Sequence, residues 1–126
     1  MVDHTIVHFD IMVEDVEKLR KFYTELFGWK MQKVPWMDYW LIQTVPVDES
    51  GKPIRLGVNG GIYKKERRDD RPRNYIAVES VDEYIEKIKA LGGKIIVPKQ
   101  EIPRTGWTAI ALDPEGNPFA IFERMG

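Results

Sequence analysis

Imidazole chemistry in this chain can come from only two side chains, His4 and His8, and thiol chemistry is excluded because there is no cysteine. A site built on three histidines or on a thiolate is therefore ruled out. His8 lies two residues before Asp10 in an alternating segment, so both side chains point to one face of a strand. An imidazole beside a carboxylate could act as an oriented acid–base pair. Because such neighbours meet whatever the function, His8 is a catalytic candidate with a structural or ligand-lining alternative, and the catalytic residues stay unassigned.

Charge and composition narrow the partners of the protein. The 126 residues carry 19 Lys and Arg against 20 Asp and Glu, a net charge of −1. A general nucleic-acid-binding surface needs a basic excess, so we expect no nucleic-acid partner. The sequence contains no run of the ~20 apolar residues that a membrane span requires, and no basic region followed by an apolar stretch at its start. We therefore expect a cytoplasmic protein with no membrane partner.

The elements that must position these residues occur twice. Residues 6–28 and 73–92 each contain a short alternating strand, a capping residue, an amphipathic helix and a glycine stop. Asp15 and Ser80 are predicted N-caps, and Gly28 and Gly92 are predicted to end the two helices. Each helix has a one-sided apolar stripe, which indicates that it packs on a sheet. The strand faces with His8 and with Tyr75 must then point away from the helices.

Three strand-like segments follow each helix, so the predicted order is βαβββ, twice. The predicted strands are Trp29–Val34, Tyr39–Val45, Arg55–Tyr63, Lys94–Pro98, Trp107–Leu112 and Pro118–Glu123. Length favours one domain, residues 1–126, with module one at about 1–63, a charged linker at about 64–72 and module two at about 73–126.

This arrangement predicts an α+β fold in which the two modules form a curled mixed sheet around a cavity, with the helices outside. Neither module could bury its sheet alone. The strand faces that point away from the helices would line the cavity. The expected ligand-binding residues are His8, Asp10, Trp40, Asn59, Arg73, Tyr75, Trp107 and Phe122. Their aromatic rings suit a planar or hydrophobic ligand, and Arg73 could pair with a carboxylate or phosphate.

The paired modules resemble the vicinal oxygen chelate superfamily, which includes lactoylglutathione lyase, bleomycin-resistance proteins, extradiol dioxygenases and methylmalonyl-CoA epimerase. The matching segments are His8–Asp15, Phe22–Trp29, Asn59–Gly61 and Leu112–Phe119. The resemblance covers nearly the whole chain and looks most like the small lactoylglutathione-lyase-related proteins. It implies a divalent metal held by His or Glu on the first and last strands of each module.

Three of the four positions that the resemblance assigns to metal ligands hold residues without a suitable donor. His8 matches, whereas the other positions hold Arg73, Gly60 or Gly61, and Ala120. Arg cannot shed its proton, and Gly and Ala have no side-chain donor. A hard divalent ion needs several ligands at once. We therefore expect no metal site and no cofactor.

The function expected from these residues is binding of a small, hydrophobic or aromatic molecule in the cavity, without a catalytic metal. One alternative is a metal-dependent lyase or isomerase of the lactoylglutathione lyase type with an atypical site. Another is an interaction module whose cavity is vestigial. Four tryptophans are many for this length, and aromatic residues are enriched at interfaces, so a homodimer is expected as well.

Overall fold

The structure is a computed structural model that describes residues 2–125. In this range the chain forms eight strands and two helices, which confirms the predicted α+β class. It divides into two compact units: a first unit of residues 8–72, and a second unit that joins residues 2–7 to residues 73–125. The N-terminal segment belongs to the second unit because the Ala77 amide donates to the Thr5 carbonyl at 2.9 Å. That the units act as one domain stays a prediction.

The first unit contains β1 from His8 onward, α1 and three further strands, in the predicted βαβββ order. Its four strands form a mixed sheet in the order β2-β3-β4-β1, in which β1 and β4 are parallel and the other neighbours are antiparallel. The elements are β1 (Ile6–Val13), α1 (Val16–Phe27), β2 (Lys30–Lys33), β3 (Trp40–Gln43) and β4 (Gly60–Lys64).

Alternation along β1 decides which side chains meet helix α1. Val13 is buried together with Ile42 and Ile62, and Val16 and Leu19 of α1 pack against this cluster. Each such aliphatic side chain contributes about 1.5–3 kcal/mol when it is fully buried. The opposite surface of the sheet, called here the helix-free face, receives the side chains of alternate residues.

The second unit repeats the order with β5 (Arg73–Ala77), α2 (Val81–Ala90), β6 (Lys94–Ile102), β7 (Gly106–Leu112) and β8 (Pro118–Arg124). Its strands lie in the order β5-β8-β7-β6, with β5 and β8 parallel. Val78, Val81, Ala109 and Ile121 form the buried cluster between α2 and the sheet. Both units therefore have a helix on one sheet face and a helix-free face on the other. Within residues 2–125, neither helix has the length and apolar character needed to cross a membrane.

The helix ends follow the capping residues read from the sequence. Asp15 accepts a hydrogen bond from the Lys18 amide at 3.1 Å, and Ser80 accepts one from the Glu83 amide at 3.1 Å. Gly28 and Gly92 have φ values of 72° and 94°, in the left-handed region that favours glycine. Local sequence is thus sufficient to place both helices.

Strand β4 begins at Gly60, five residues later than the predicted Arg55, because the Asn59 side chain interrupts the ladder. Asn59 Oδ1 accepts from the amides of Thr44 and Val45 at 2.7 and 3.0 Å. Those amides would otherwise serve a longer β3–β4 pairing. The side chain ends the strand pair at this point.

Strand β6 continues past Pro98 to Ile102, beyond its predicted end. The pairing register between β6 and β7 shifts between Val97 and Gln100, so Pro98 falls in an irregularity. β6 is the last strand in the order of its unit. A proline, which has no amide hydrogen to donate, is tolerated at such a bulge on an edge strand.

Candidate functional site

Three polar side chains meet on the helix-free face of the first unit, where the sequence analysis expected two. His8 Nε2 lies 3.1 Å from Asp10 Oδ1 and 2.7 Å from Tyr39 Oη. Tyr39 Oη donates to Asp10 Oδ1 at 2.6 Å. These residues, called here the polar triad, close a triangle of hydrogen bonds. The structure therefore brings His8 and Asp10 together as predicted and adds a phenol to them.

Within the triad the Tyr39 hydroxyl donates to Asp10, and His8 Nε2 lies within hydrogen-bond distance of both groups, its donor or acceptor role depending on the histidine tautomer. The Asp10 side chain is 4% exposed and the His8 side chain is 29% exposed. A carboxylate this buried requires hydrogen-bond donors, and the phenol supplies one within the first unit.

Gly61 makes room for the phenol. It lies opposite Asp10 in the parallel pairing of β1 with β4. A Cβ atom built on Gly61 would overlap the Tyr39 hydroxyl, and one built on Gly60 would overlap Phe9. Only glycine, which has no side chain, leaves this space open. The two glycines of the Asn-Gly-Gly motif thus make room for neighbouring residues of β1 and of the segment before β3.

Sequence reasoning missed Tyr39 although its position carried a usable signal. Leu41 pairs with Gly61, which pairs with Asp10, so these three positions share one face. Tyr39, two residues before Leu41, has the same parity. A tyrosine placed across from a Gly-Gly pair in a neighbouring strand is a candidate to fill the space above the glycines.

On the second unit, Arg73, Tyr75 and Phe122 share the helix-free face. Tyr75 pairs with Ala120, and Ala77 pairs with Phe122, so the alternation of β5 and β8 is in phase. Arg73 Nε donates to Tyr75 Oη at 3.4 Å, and the guanidinium carbon lies 5.8 Å from the ring centroid. This is a cation held beside an aromatic ring.

A cavity of about 170 Å³ opens beside Phe122 in the second unit. Its wall is apolar except for one arginine side chain; the lining residues are Val2, Val7, Ala77, Val78, Phe122 and Arg124. A further cavity of the second unit, about 160 Å³, lies at the end of α2 beside Leu91 and Pro114.

Trp40 and Trp107, both expected to line the cavity, lie on the helix-facing sides of their sheets. Trp40 pairs with Ile62, a residue of the buried cluster, and the Arg20 guanidinium carbon lies 3.3 Å from its ring centroid. Trp107 packs against the cluster beneath α2. The expectation treated aromatic character as a sign of ligand contact, whereas strand parity places both rings with the helices.

Asn59, another expected ligand contact, has its side chain engaged with the backbone of its own unit. Its Oδ1 accepts hydrogen bonds from two backbone amides, and its Nδ2 donates one to the Val45 carbonyl at 3.1 Å. The Thr44 hydroxyl lies 3.2 Å from Asn59 Oδ1 and donates to the Val58 carbonyl at 2.6 Å. The Asn59 side chain therefore links the end of β3 to the segment before β4 through hydrogen bonds.

The donor set does not fit the divalent metal that the family resemblance implies. No group of three or more His, Asp or Glu side chains able to hold a metal ion occurs in the described part of the chain. At Gly61, where a ligand would be needed, the space is filled by the Tyr39 hydroxyl. Ala120 is fully buried without a donor atom. A site with this composition lacks the several ligands that a hard cation requires.

Comparison with known proteins agrees with the motifs. Residues 5–44 match the family described as bleomycin resistance protein-like N-terminal. The chain is 30% identical over 125 residues to the Arabidopsis thaliana protein named "Probable lactoylglutathione lyase, chloroplastic", covering 94% of this chain and 35% of that protein. It is 26% identical over 127 residues to the anthracycline biosynthesis protein DnrV of Streptomyces peucetius, covering 92% and 46%. It thus spans about a third to a half of the length of the curated relatives it matches.

Solved structures share the fold over almost the full chain. Methylmalonyl-CoA epimerase of Mycobacterium tuberculosis has a TM-score of 0.69 at 11% identity, covering 100% of this chain and 94% of that one. A Streptomyces coelicolor methylmalonyl-CoA epimerase in complex with 2-nitronate-propionyl-CoA has a TM-score of 0.68 at 12% identity, covering 98% and 100%. The twin βαβββ units, the family match over residues 5–44 and these relatives support a resemblance to the vicinal oxygen chelate superfamily.

Proposed function

We propose that this protein binds a small apolar or aromatic molecule that carries an acidic group, and that it does so without a resident metal. The observation that carries the proposal is the helix-free face of the second unit. There an apolar cavity of about 170 Å³ is bordered by Phe122 and by one cation, Arg124, while the Arg73 cation lies beside the Tyr75 ring on the same face, outside the cavity lining. A guanidinium suits a carboxylate or phosphate, and the rings suit a flat apolar body.

The relatives support this class of ligand without naming it. One structural neighbour is complexed with a CoA derivative, which carries phosphates, and one curated relative is named for anthracycline biosynthesis. The metal-free part of the proposal rests on the first unit. Tyr39 bonds directly to Asp10 above Gly61, so a hydrogen-bond network stands where ligands would be required. The cytoplasmic location and the homodimer expected from the sequence stay predictions.

A matched pair of probes tests ligand binding. Naphthoate should raise the melting temperature of the protein, and naphthalenemethanol, its uncharged counterpart, should raise it less, because at equal concentration a tighter ligand stabilises the native state more. Arg124→Gln, which removes the one charge on the cavity wall, should remove the difference between the two probes. Arg55→Gln, a change in an exposed arginine of the first unit, should leave it intact. Equal rises in melting temperature with both probes in the unaltered protein would contradict the proposal of an acidic ligand.

Metal analysis of the purified protein tests the second part. We expect less than stoichiometric Zn, Ni, Mn and Fe after purification, and no rise in melting temperature when these ions are added. Stoichiometric metal that is lost in His8→Ala would contradict the proposal and support the metal-dependent lyase or isomerase instead. That outcome is separate from the probe experiment, since an apolar acid could bind in either case.

A further inference from the structure

The N-terminal segment, residues 2–7, forms part of the wall of the cavity beside Phe122. Val2 and Val7 line this cavity of about 170 Å³. All six residues of the segment are exposed, Val2 by 38% and Val7 by 39%. An exposed segment of this kind opens at a much lower free energy than the core of a protein. The shape of the cavity therefore depends on the contacts that hold the segment against the second unit.

Two backbone amides take part in holding the segment, and both bonds involve a cavity residue. The Ala77 amide donates to the Thr5 carbonyl at 2.9 Å, and Ala77 lines the cavity. The Val2 amide donates to Glu79 Oε1 at 3.1 Å, and Val2 lines the cavity as well. If the segment moves away, both bonds break and the cavity loses the part of its wall that Val2 and Val7 supply.

His4, which lies between the two lining valines in sequence, holds the segment to α2 by its side chain. His4 Nε2 lies 3.0 Å from Tyr84 Oη, and the two rings meet edge to face with centroids 5.2 Å apart. Tyr84 is a fixed anchor, because its ring packs against the buried cluster beneath α2 and Lys87 Nζ lies 4.6 Å from the ring centroid. Contacts between rings are directional, so His4 determines where the segment lies on the helix.

We propose that His4 is a positioning residue for ligand binding: through Tyr84 it holds residues 2–7 as a movable wall of the cavity, and this wall opens to admit and release the ligand. The inference rests on the proposed function, because it concerns the same cavity and the same small acidic ligand. It gives His4 a role in the second unit that is separate from the polar triad of His8 in the first.

Hydrogen exchange of two neighbouring amides in the ligand-free protein tests whether His4 holds the segment. The Ala77 amide bonds to Thr5, inside the segment. The Val78 amide bonds to the Phe122 carbonyl at 2.9 Å, outside the segment. In His4→Ala the Ala77 amide should exchange about threefold to tenfold faster, the factor that loss of one hydrogen bond produces, and the Val78 amide should exchange as before. Nuclear magnetic resonance resolves the two amides.

Release of naphthoate, measured by stopped-flow fluorescence, tests whether the segment is a wall of the ligand site. Because the segment must open for the ligand to leave, dissociation from His4→Ala should be faster by a factor similar to that of Ala77 exchange. Bound naphthoate should in turn slow Ala77 exchange in the unaltered protein, because a ligand that contacts Val2 and Val7 stabilises the closed segment. If naphthoate does not bind, the proposed function fails, and Ala77 exchange alone decides whether His4 holds the segment.

Further variants separate the His4–Tyr84 contact from a general effect on α2. Tyr84→Phe, which keeps the ring and removes the hydroxyl, should reproduce both effects of His4→Ala. His4→Gln, which keeps a side chain able to form a hydrogen bond with Tyr84, should reverse most of them. The matched control is Asp82→Asn, which removes another exposed contact of α2, the 2.9 Å bond from Lys99 Nζ. It should change neither measurement.

Three results would overturn the proposal. The first is unchanged Ala77 exchange in His4→Ala. The second is equal acceleration of Ala77 and Val78 exchange, because it would report a loss of global stability. The third is faster Ala77 exchange with unchanged naphthoate release, which would show that the segment held by His4 is not a wall of the ligand site.

Discussion

The Tyr39 hydroxyl donates a hydrogen bond to Asp10 Oδ1 at 2.6 Å, through a space that exists because Gly61 has no side chain. The same hydroxyl oxygen lies 2.7 Å from His8 Nε2, so one phenol contacts both polar residues of β1. Asp10 is 3% exposed and depends on such donors. The relationship links a loop tyrosine, a strand glycine and a buried carboxylate into one unit, and each member can be tested separately.

Removing the phenolic oxygen should destabilise the protein. Tyr39→Phe keeps the ring and takes one donor from a buried carboxylate, so we expect the free energy of unfolding to fall by about 1–3 kcal/mol. Urea denaturation measures the change. The control is Tyr23→Phe, because the Tyr23 hydroxyl has no hydrogen-bond partner among residues 2–125. It should cost much less, and equal losses would show that Asp10 does not depend on Tyr39.

Adding one methyl group at Gly61 should also lower the free energy of unfolding, because it crowds the Tyr39 hydroxyl from the β4 side. Gly61→Ala forces the new Cβ against the Tyr39 hydroxyl, and such overpacking costs about 1–3 kcal/mol. In a Tyr39→Ala background the obstacle is gone, so the same substitution should be nearly neutral. A double-mutant cycle measures this coupling, and strictly additive effects would contradict the contact.

Much of the fold could be predicted from local signals. Asp15, Ser80, Gly28 and Gly92 determine the helix ends through bonds between residues close in sequence. The polar triad could be predicted only in part. His8 and Asp10 are neighbours on one strand, whereas Tyr39 is brought to them by pairing between strands, which cannot be read from the sequence.

The tryptophans show a second limit of the sequence. Trp40 and Trp107 could have been assigned to the helix-facing sides by strict parity with Ile62 and Ile121, if the register between strands had been known. Residue type alone favours a ligand contact and a core position equally. The ambiguity is therefore physical, since an indole fits both environments.

Replacing Asn59 should loosen the connection between β3 and β4. Asn59→Ala leaves the amides of Thr44 and Val45 without their side-chain acceptor, and we expect a loss of about 1–3 kcal/mol in the free energy of unfolding. Asn74→Ala is the matched control, because it removes the same amide group from an exposed asparagine of the second unit. It should be the milder change. If both substitutions cost the same, the accepted bonds are not what stabilises this junction.

Acid should remove the contribution of Asp113 to stability. Asp113 accepts hydrogen bonds from the amides of Asn117 and Glu115, both at 2.9 Å, and from the Asn117 side chain at 3.0 Å. These bonds, above all those from Asn117, hold the pKa of Asp113 below its ordinary value of 3.8. A carboxyl with a lowered folded-state pKa stabilises the protein fully above its unfolded value and loses that effect as the pH falls through the folded value.

The unaltered protein should therefore exceed Asp113→Asn in stability by a constant margin at neutral and mildly acid pH, and the margin should shrink only below about 3.8. Urea denaturation at a series of pH values measures it. Glu115→Gln removes a charge from the same turn without removing the acceptor of these bonds, so it should leave the acid dependence unchanged. If the margin between the unaltered protein and Asp113→Asn persists at the lowest pH, the ionised Asp113 carboxylate is not the source of the stabilisation.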